Sequence, residues 1–218
     1  MTHLVMFDID GTLVDSVGFD SRYYADALRS VLNVEVDDTW RPYQHVTDSG
    51  ILEELLASRE FDRPIEELRA TAKHTFIAAI RAHFARDPSA VREISGAKAL
   101  FDHLARLPDV RVAIATGGWA ESARLKLAAI GIDPDAVPLA TSSDRMERAQ
   151  IMQLAEERAL GGAAPKSRTY FGDGAWDKRA SAELGYRFIA IGRAVEHESC
   201  FDDFRDRAAV LACLGLAL

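Results

Sequence analysis

The chain has 218 residues, 48% hydrophobic and 28% charged, the profile of an ordinary globular protein with room for one sizeable core or a core carrying an insert. Its 26 basic and 34 acidic residues leave a net charge of −8, which argues against nucleic acid or an anionic membrane as the main partner, although a local site can oppose the global sign. Two cysteines, Cys200 and Cys213, are too few for a disulfide framework, no run approaches the ~18 apolar residues of a membrane span, and no leader pattern opens the chain, so a reducing cytoplasm is expected.

The stretch from Leu4 to Ser16 begins as a buried strand and runs into Asp8 and Asp10, followed at once by Gly11 and Thr12. Two carboxylates at the end of a core strand repel each other and cost desolvation, an arrangement usually kept for a cation or a reaction. Taken alone, Asp10-Gly11 reads equally well as an Asx-type turn. Ser16 to Leu32 reads as a helix, with Tyr24, Ala27, Leu28 and Val31 on one face. The polar segment 33–48, broken by Pro42, reads as a connection, and Ser49 as the N-cap of a short helix ending at Leu56. A long helix from Ile65 to Phe84 should stop before Asp87-Pro88, because the residue before proline resists the helical region. No strand pattern lies between Ser16 and Arg92. Residues 16–92 are therefore expected to form a helical module inserted after the first strand, the core being 1–15 and 93–218.

From residue 96 the rhythm alternates. Helices are expected over Gly96–Leu107, Trp119–Ile130, Glu147–Leu160 and Trp176–Leu184, and strands over Val110–Ala115, Ala136–Ala140, Arg168–Phe171 and Arg187–Ile191. Such alternation implies an α/β fold, a Rossmann-like parallel sheet core with helices on both faces. Ligands of such sheets bind outside the carboxyl ends of the strands.

Three strand ends carry chemistry: Asp8-x-Asp10, Thr116-Gly117-Gly118, and Gly172-Asp173 with Asp177. Singly, each is an ordinary turn, N-cap or strand-end residue. Together, in one alternating sheet, they point to a site. Asp173 and Asp177, four apart at a strand-to-helix turn, can face one side; with Asp8 and the Asp10 carbonyl they supply oxygen donors only. With no histidine or cysteine at suitable spacing, that set selects Mg2+.

On these residues the chain resembles the haloacid dehalogenase-like (HAD) hydrolase superfamily, in its capped phosphoglycolate phosphatase-like and β-phosphoglucomutase-like branch. Phe7 to Ser16 matches the first motif, Thr116 the second, and Gly172-Asp173 with Asp177 the fourth. The resemblance implies a Mg2+-dependent phosphatase acting on a small phosphorylated metabolite, as monomer or homodimer. It makes Asp8 the nucleophile that forms an aspartyl-phosphate, Asp10 the general acid and then base, and Thr116 with the Gly117 backbone the holder of a phosphoryl oxygen. Asp8, Asp10, Asp173 and Asp177 form the implied metal set. The third motif departs from the family, whose lysine is missing from 143–151. Arg148, three residues before Ile151, matches the motif's form best, with Arg145 in reserve; arginine binds carboxylate and phosphate bidentately.

A cap would exclude water and select the substrate by opening and closing, with hinges near Asp15–Gly18 and Arg92–Gly96. Arg41, His45 and Asp48 are its candidate substrate contacts, while Trp119 is expected to pack and Lys73 and His74 to face solvent. Phosphomutases of the branch carry a histidine where this chain has Asp20, which favours hydrolysis. Asp10 argues against a 2-haloacid dehalogenase, and against phosphonate-cleaving relatives; a non-catalytic binding protein on this fold is supported only by the missing lysine.

Overall fold

The computed structural model describes residues 2–87, 89 and 91–216, so Pro88, expected to end the long helix, lies outside the described residues. In chain order the elements are β1 (His3–Phe7), α1 (Val17–Leu32), α2 (Asp48–Ala57), α3 (Ile65–Arg86), α4 (Ala97–Arg106), β2 (Val110–Ala115), α5 (Ala120–Ala129), β3 (Leu139–Ala140), α6 (Arg148–Leu160), β4 (Ser167–Gly172), α7 (Ala175–Leu184), β5 (Arg187–Ile191), β6 (Cys200–Phe201) and α8 (Arg207–Leu214). The six strands form one parallel sheet in the order β3-β2-β1-β4-β5-β6. Strand order therefore reverses at β1, which pairs with β2 on one side and β4 on the other. That is where an open α/β sheet leaves a crevice for ligands.

Successive strand residues point to opposite faces, and the two faces bury different layers. Val5, Phe7, Val112, Ile114 and Phe171 pack with Leu100 and Leu104 of α4, Leu127 of α5 and Val210 and Leu211 of α8. Leu4, Met6, Ala113 and Tyr170 pack on the other face with Ile151, Met152 and Ala155 of α6. Rings of Phe7 and Phe171 stack at 4.9 Å, fixing β1 against β4 directly beneath Asp8.

Helices α1 to α3 form a separate apolar cluster around Tyr24, Leu28, Leu52, Phe76 and Ile80, joined by Trp119 from the sheet side. The chain enters and leaves this insert through paired segments: Asp15 N donates to Arg92 O and Ile94 N to Leu13 O, each at 2.9 Å.

Several expected boundaries move. Thr47, not Ser49, caps α2, its hydroxyl accepting from Gly50 N, while the Ser49 hydroxyl is spent on the seam described below. The expected strand over 136–140 shrinks to Leu139–Ala140, since Pro138 has no N–H for a ladder. Strand β6 and helix α8 are additions; two residues give no pattern, and an eight-residue apolar run does not distinguish helix from strand. Among the described residues no helix is long and apolar enough to cross a membrane.

Candidate active site

Immediately after β1 the chain folds back on itself: Thr12, Leu13 and Val14 N–H groups all converge on Ile9 O, and Gly11 N donates to Val14 O. Gly11 sits at φ +73°, and a Cβ there would fall 2.0 Å from Asp173 Oδ2. Only glycine fits both the left-handed backbone and the approach of Asp173. The turn leaves Asp8 buried at the sheet's carboxyl edge, with Asp173 and Asp177 arriving from the end of β4 and the first turn of α7. Carboxylate oxygens of Asp8, Asp173 and Asp177 all lie within 4.8 Å of one another.

Arg148, the first residue of α6, reaches into this group. Its Nη1 lies 3.2 Å from Asp8 Oδ1 and 3.3 Å from Asp177 Oδ1, and its side chain is 10% exposed. Gly117 permits that reach, since a Cβ there would stand 2.5 Å from Arg148 Nη2 and 3.2 Å from Val46 O. Arg145 points elsewhere, donating to the carbonyl of Asp144 at 2.8 Å in an exposed position.

Burial dominates the electrostatics. It pushes the Asp8 carboxyl up to about 7, with Asp177 adding to the rise and Arg148 opposing it. Asp173 is pushed up to about 8 by burial, then by Asp177 and Asp8. Asp177 is also raised by burial, against Arg148 and the Gly174 N–H. Burial would lower the Arg148 guanidinium, but Asp177 and Asp8 outweigh it. Three carboxylates against one guanidinium leave a formal −2 when ionised, and all the converging donors are oxygens. A hard divalent cation fits this set.

Asp10 is turned differently. Its Oδ1 lies 2.5 Å from Lys126 Nζ and accepts from the Ser16 hydroxyl, whereas Oδ2 faces Gly118, 3.8 Å from where a Cβ would be. Its carboxylate thus stands outside the Asp8–Asp173–Asp177 group. Thr116, 1% exposed at the end of β2, accepts from Gly118 N at 3.2 Å. These residues open on one cavity of about 620 Å3, walled by Val17, Tyr24, Trp40 and Arg41 of the insert side and Trp176 of the sheet side.

The candidate substrate contacts divide. Arg41 lines the cavity. His45 does not line it: its imidazole turns to Glu147 at 4.0 Å, while its backbone N–H donates to Glu54. Asp48 borders the cavity, but its carboxylate accepts from Trp119 N at 2.7 Å and its own N–H donates to Gly117 O at 2.8 Å. That exchange belongs to a seam between insert and sheet. Ser49 accepts from Trp119 Nε1 at 2.9 Å and donates to Ser142 O at 2.7 Å, and Thr47 donates to Met146 O at 2.7 Å. Lys73 is a correction: it does not simply face solvent but pairs with Glu121 at 2.9 Å, and its ammonium lies 5.8 Å from the centre of the Trp119 ring. His74 is exposed, and Trp119 is packed at 3% exposure.

Lys126 is not singled out by the sequence, and Asp20 is marked there only as the position of the mutase histidine, not as the lysine's partner. The available signal is a cation on the buried face of α5, alongside Ser122, Ala123 and Leu127; a buried lysine requires a carboxylate partner.

A family model described as a haloacid dehalogenase-like hydrolase matches residues 2–185. No curated protein sequence matches the chain. Solved structures similar in fold include a hydrolase from Pseudomonas syringae (TM-score 0.74, 19% identity, covering 97% of this chain and 98% of that one). CbbY from Rhodobacter sphaeroides, in complex with phosphate, is similar at TM-score 0.72 and 18% identity over 94% of this chain and 96% of that one. A predicted phosphoglycolate phosphatase from Haemophilus somnus follows at TM-score 0.65 and 18% identity, over 96% and 97%.

Proposed function

The chain belongs to the haloacid dehalogenase-like hydrolase family, and on that premise we propose that it is a Mg2+-dependent phosphatase of a small phosphorylated metabolite. The observation that carries this reading is Asp8 at the switch point of the sheet, with Arg148 Nη1 at 3.2 Å and a second carboxylate, Asp10, presented to the same cavity. The phosphate held by CbbY, whose fold is similar, is consistent with the reading.

In this mechanism an Asp8 oxygen attacks phosphorus and the bond from phosphorus to the ester oxygen breaks. Asp10 gives its proton to that departing oxygen. Water then attacks the aspartyl-phosphate while Asp10 takes the proton back, releasing phosphate and restoring Asp8. Arg148, the Thr116 hydroxyl and the N–H groups after β2 carry the charge on the phosphoryl oxygens. Asp8, the Asp10 carbonyl, Asp173 and Asp177 would hold Mg2+, which when bound offsets the crowding of negative charge. The insert acts as a cap over the cavity, residues 16–92 selecting the substrate and the remainder forming the catalytic core.

Hydrolysis is favoured over phosphoryl transfer between sugar positions because Asp20 stands where mutases of the branch carry histidine, and its carboxylate is bound to Lys126 at 2.5 Å. The test is phosphate release from a panel of phosphorylated metabolites, with Mg2+ and with chelator. Turnover that needs Mg2+ and disappears in Asp8→Asn is expected. Turnover of a 2-haloacid but of no ester would overturn the proposal, and full hydrolysis by Asp8→Asn would remove the nucleophile assignment.

A further inference from the structure

We propose that Lys126 is a positioning residue for this chemistry: its buried ammonium fixes the orientation of the Asp10 carboxylate and ties it to the first helix of the insert through Asp20. The proposal rests on the reading of Asp10 as the group that transfers protons.

Lys126 is fully buried on α5, a helix of the sheet layer. Burial would strip its ammonium of its charge, but Asp10 and Asp20 hold it above the ordinary lysine range. Its Nζ lies 2.5 Å from Asp10 Oδ1 and 2.5 Å from Asp20 Oδ1. Asp10 follows β1, whereas Asp20 lies in the first turn of α1, just beyond the point where the chain enters the insert. One ammonium therefore joins α5 to two segments more than a hundred residues earlier, the turn after β1 and the first turn of α1.

The same Asp10 oxygen also accepts from the hydroxyl of Ser16, the N-cap residue of α1. Two donors thus claim Oδ1, and a carboxylate pinned at one oxygen has its other oxygen fixed in direction. That second oxygen faces Gly118, at the cavity. Asp48 is the further carboxyl facing this group, from α2, with its own oxygen taken by the Trp119 N–H. A proton donor must sit within hydrogen-bond reach of the oxygen it serves, and misplacement by ~1 Å can cost about 10²-fold in rate. An isolated structural ion pair would not have as one member the group that moves the proton.

The test compares Lys126→Met with the double variant Lys126→Met/Asp20→Asn, which leaves no unbalanced buried carboxylate at position 20. Aryl esters such as 4-nitrophenyl phosphate leave without help from an acid; alkyl phosphates do not. Because general acid catalysis contributes ~10²–10⁴-fold, kcat/KM for an alkyl phosphate should fall at least about tenfold further than for the aryl ester in both variants. Equal losses for the two esters would mark Lys126 as merely structural and overturn the proposal. Crystal structures of the wild type and both variants supply a readout independent of turnover. Asp10 should leave its orientation when Lys126 is gone, and an unchanged Asp10 overturns the proposal whatever the rates. A wild-type protein that hydrolyses no ester would defeat the phosphatase reading instead, while the structures still decide whether Lys126 holds Asp10.

Discussion

Replacing Arg148 by methionine keeps most of the side-chain volume and removes the guanidinium facing the carboxylate group. Nη1 lies 3.2 Å from Asp8 and 3.3 Å from Asp177, and the side chain is 10% exposed, so solvent screens these contacts little. A hydrogen bond to a charged group is worth ~1.5–3 kcal/mol. Loss of one preorganised donor to a developing oxyanion costs ~10²–10³-fold in rate, and a similar fall in kcat/KM is expected here. Asp8 is affected too: raised by burial to about 7 even with Arg148 opposing the rise, it goes higher still without it and is more protonated at neutral pH. The stability loss should be smaller at pH 5 than at pH 8, because acid neutralises the carboxylates that the guanidinium otherwise balances. The assay is steady-state phosphate release from pH 5 to 9 alongside urea melts, with Arg145→Met as control, since that side chain donates only to the Asp144 carbonyl. An Arg148→Met protein within about threefold of wild-type kcat/KM, or an equal loss in Arg145→Met, would refute the reasoning; a genuine catalytic donor costs ~10² or more.

Burial raises Asp8 to about 7 and Asp173 to about 8, against 3.8 for exposed groups. Without a cation, the unfolded chain releases these protons near pH 4 while the folded chain keeps them to pH 7 or 8, so stability falls as pH rises through that window. Mg2+ needs the ionised carboxylates and should raise the melting temperature more at pH 8 than at pH 5; a shift independent of pH would contradict this. Gly117→Ala sets a Cβ 2.5 Å from Arg148 Nη2. It should cost ~1–3 kcal/mol of overpacking in urea melts and lower kcat/KM by displacing Arg148, and wild-type values for both would refute it. Trp119→Ala removes a ring packed among Tyr24 and Phe76 together with its hydrogen bond to Ser49. A loss of ~3–5 kcal/mol is expected from denaturant unfolding, and less than 1 kcal/mol would show that the ring does not hold insert to sheet.

What the sequence made legible was local. Val110–Ala115 and Arg187–Ile191 were bounded correctly because a buried parallel strand reads as an unbroken apolar run between polar ends. That Asp8, Thr116 and Asp173 would lie together was legible because strand ends of such a sheet converge on one edge, and all three border one cavity. Arg148 was legible only as one of two arginines; the choice depends on where α6 begins, and the chain enters the helix at Arg148 itself, aiming it past Gly117. The Ser49 cap failed for a related reason. A hydroxyl near a helix start can serve its own N–H groups or a neighbouring element, and only packing decides; here Thr47 takes the cap and Ser49 bridges Trp119 to Ser142.

The seam bears on how the insert can move relative to the sheet. Residues 47–49 exchange hydrogen bonds with Gly117, Trp119, Ser142 and Met146, and Lys73 adds an ion pair to Glu121. A rigid swing of the whole insert about residues 15 and 92 would break all of these while gaining only water in return. Residues 44–46 are also tied to the sheet layer, by Arg179 to Gln44 O, Glu147 to His45 and Arg148 to Val46 O, whereas 37–43, which carry Trp40 and Arg41, make no such bonds among the described residues. Trp40 also sits at φ +62°, a left-handed conformation that costs a non-glycine residue on the order of 1 kcal/mol and gathers at functional positions. Motion that opens the cavity is therefore cheaper in the 37–43 segment than about residues 15 and 92. Because Asp20 precedes that segment and is bound to Lys126, such motion leaves the orientation of Asp10 undisturbed.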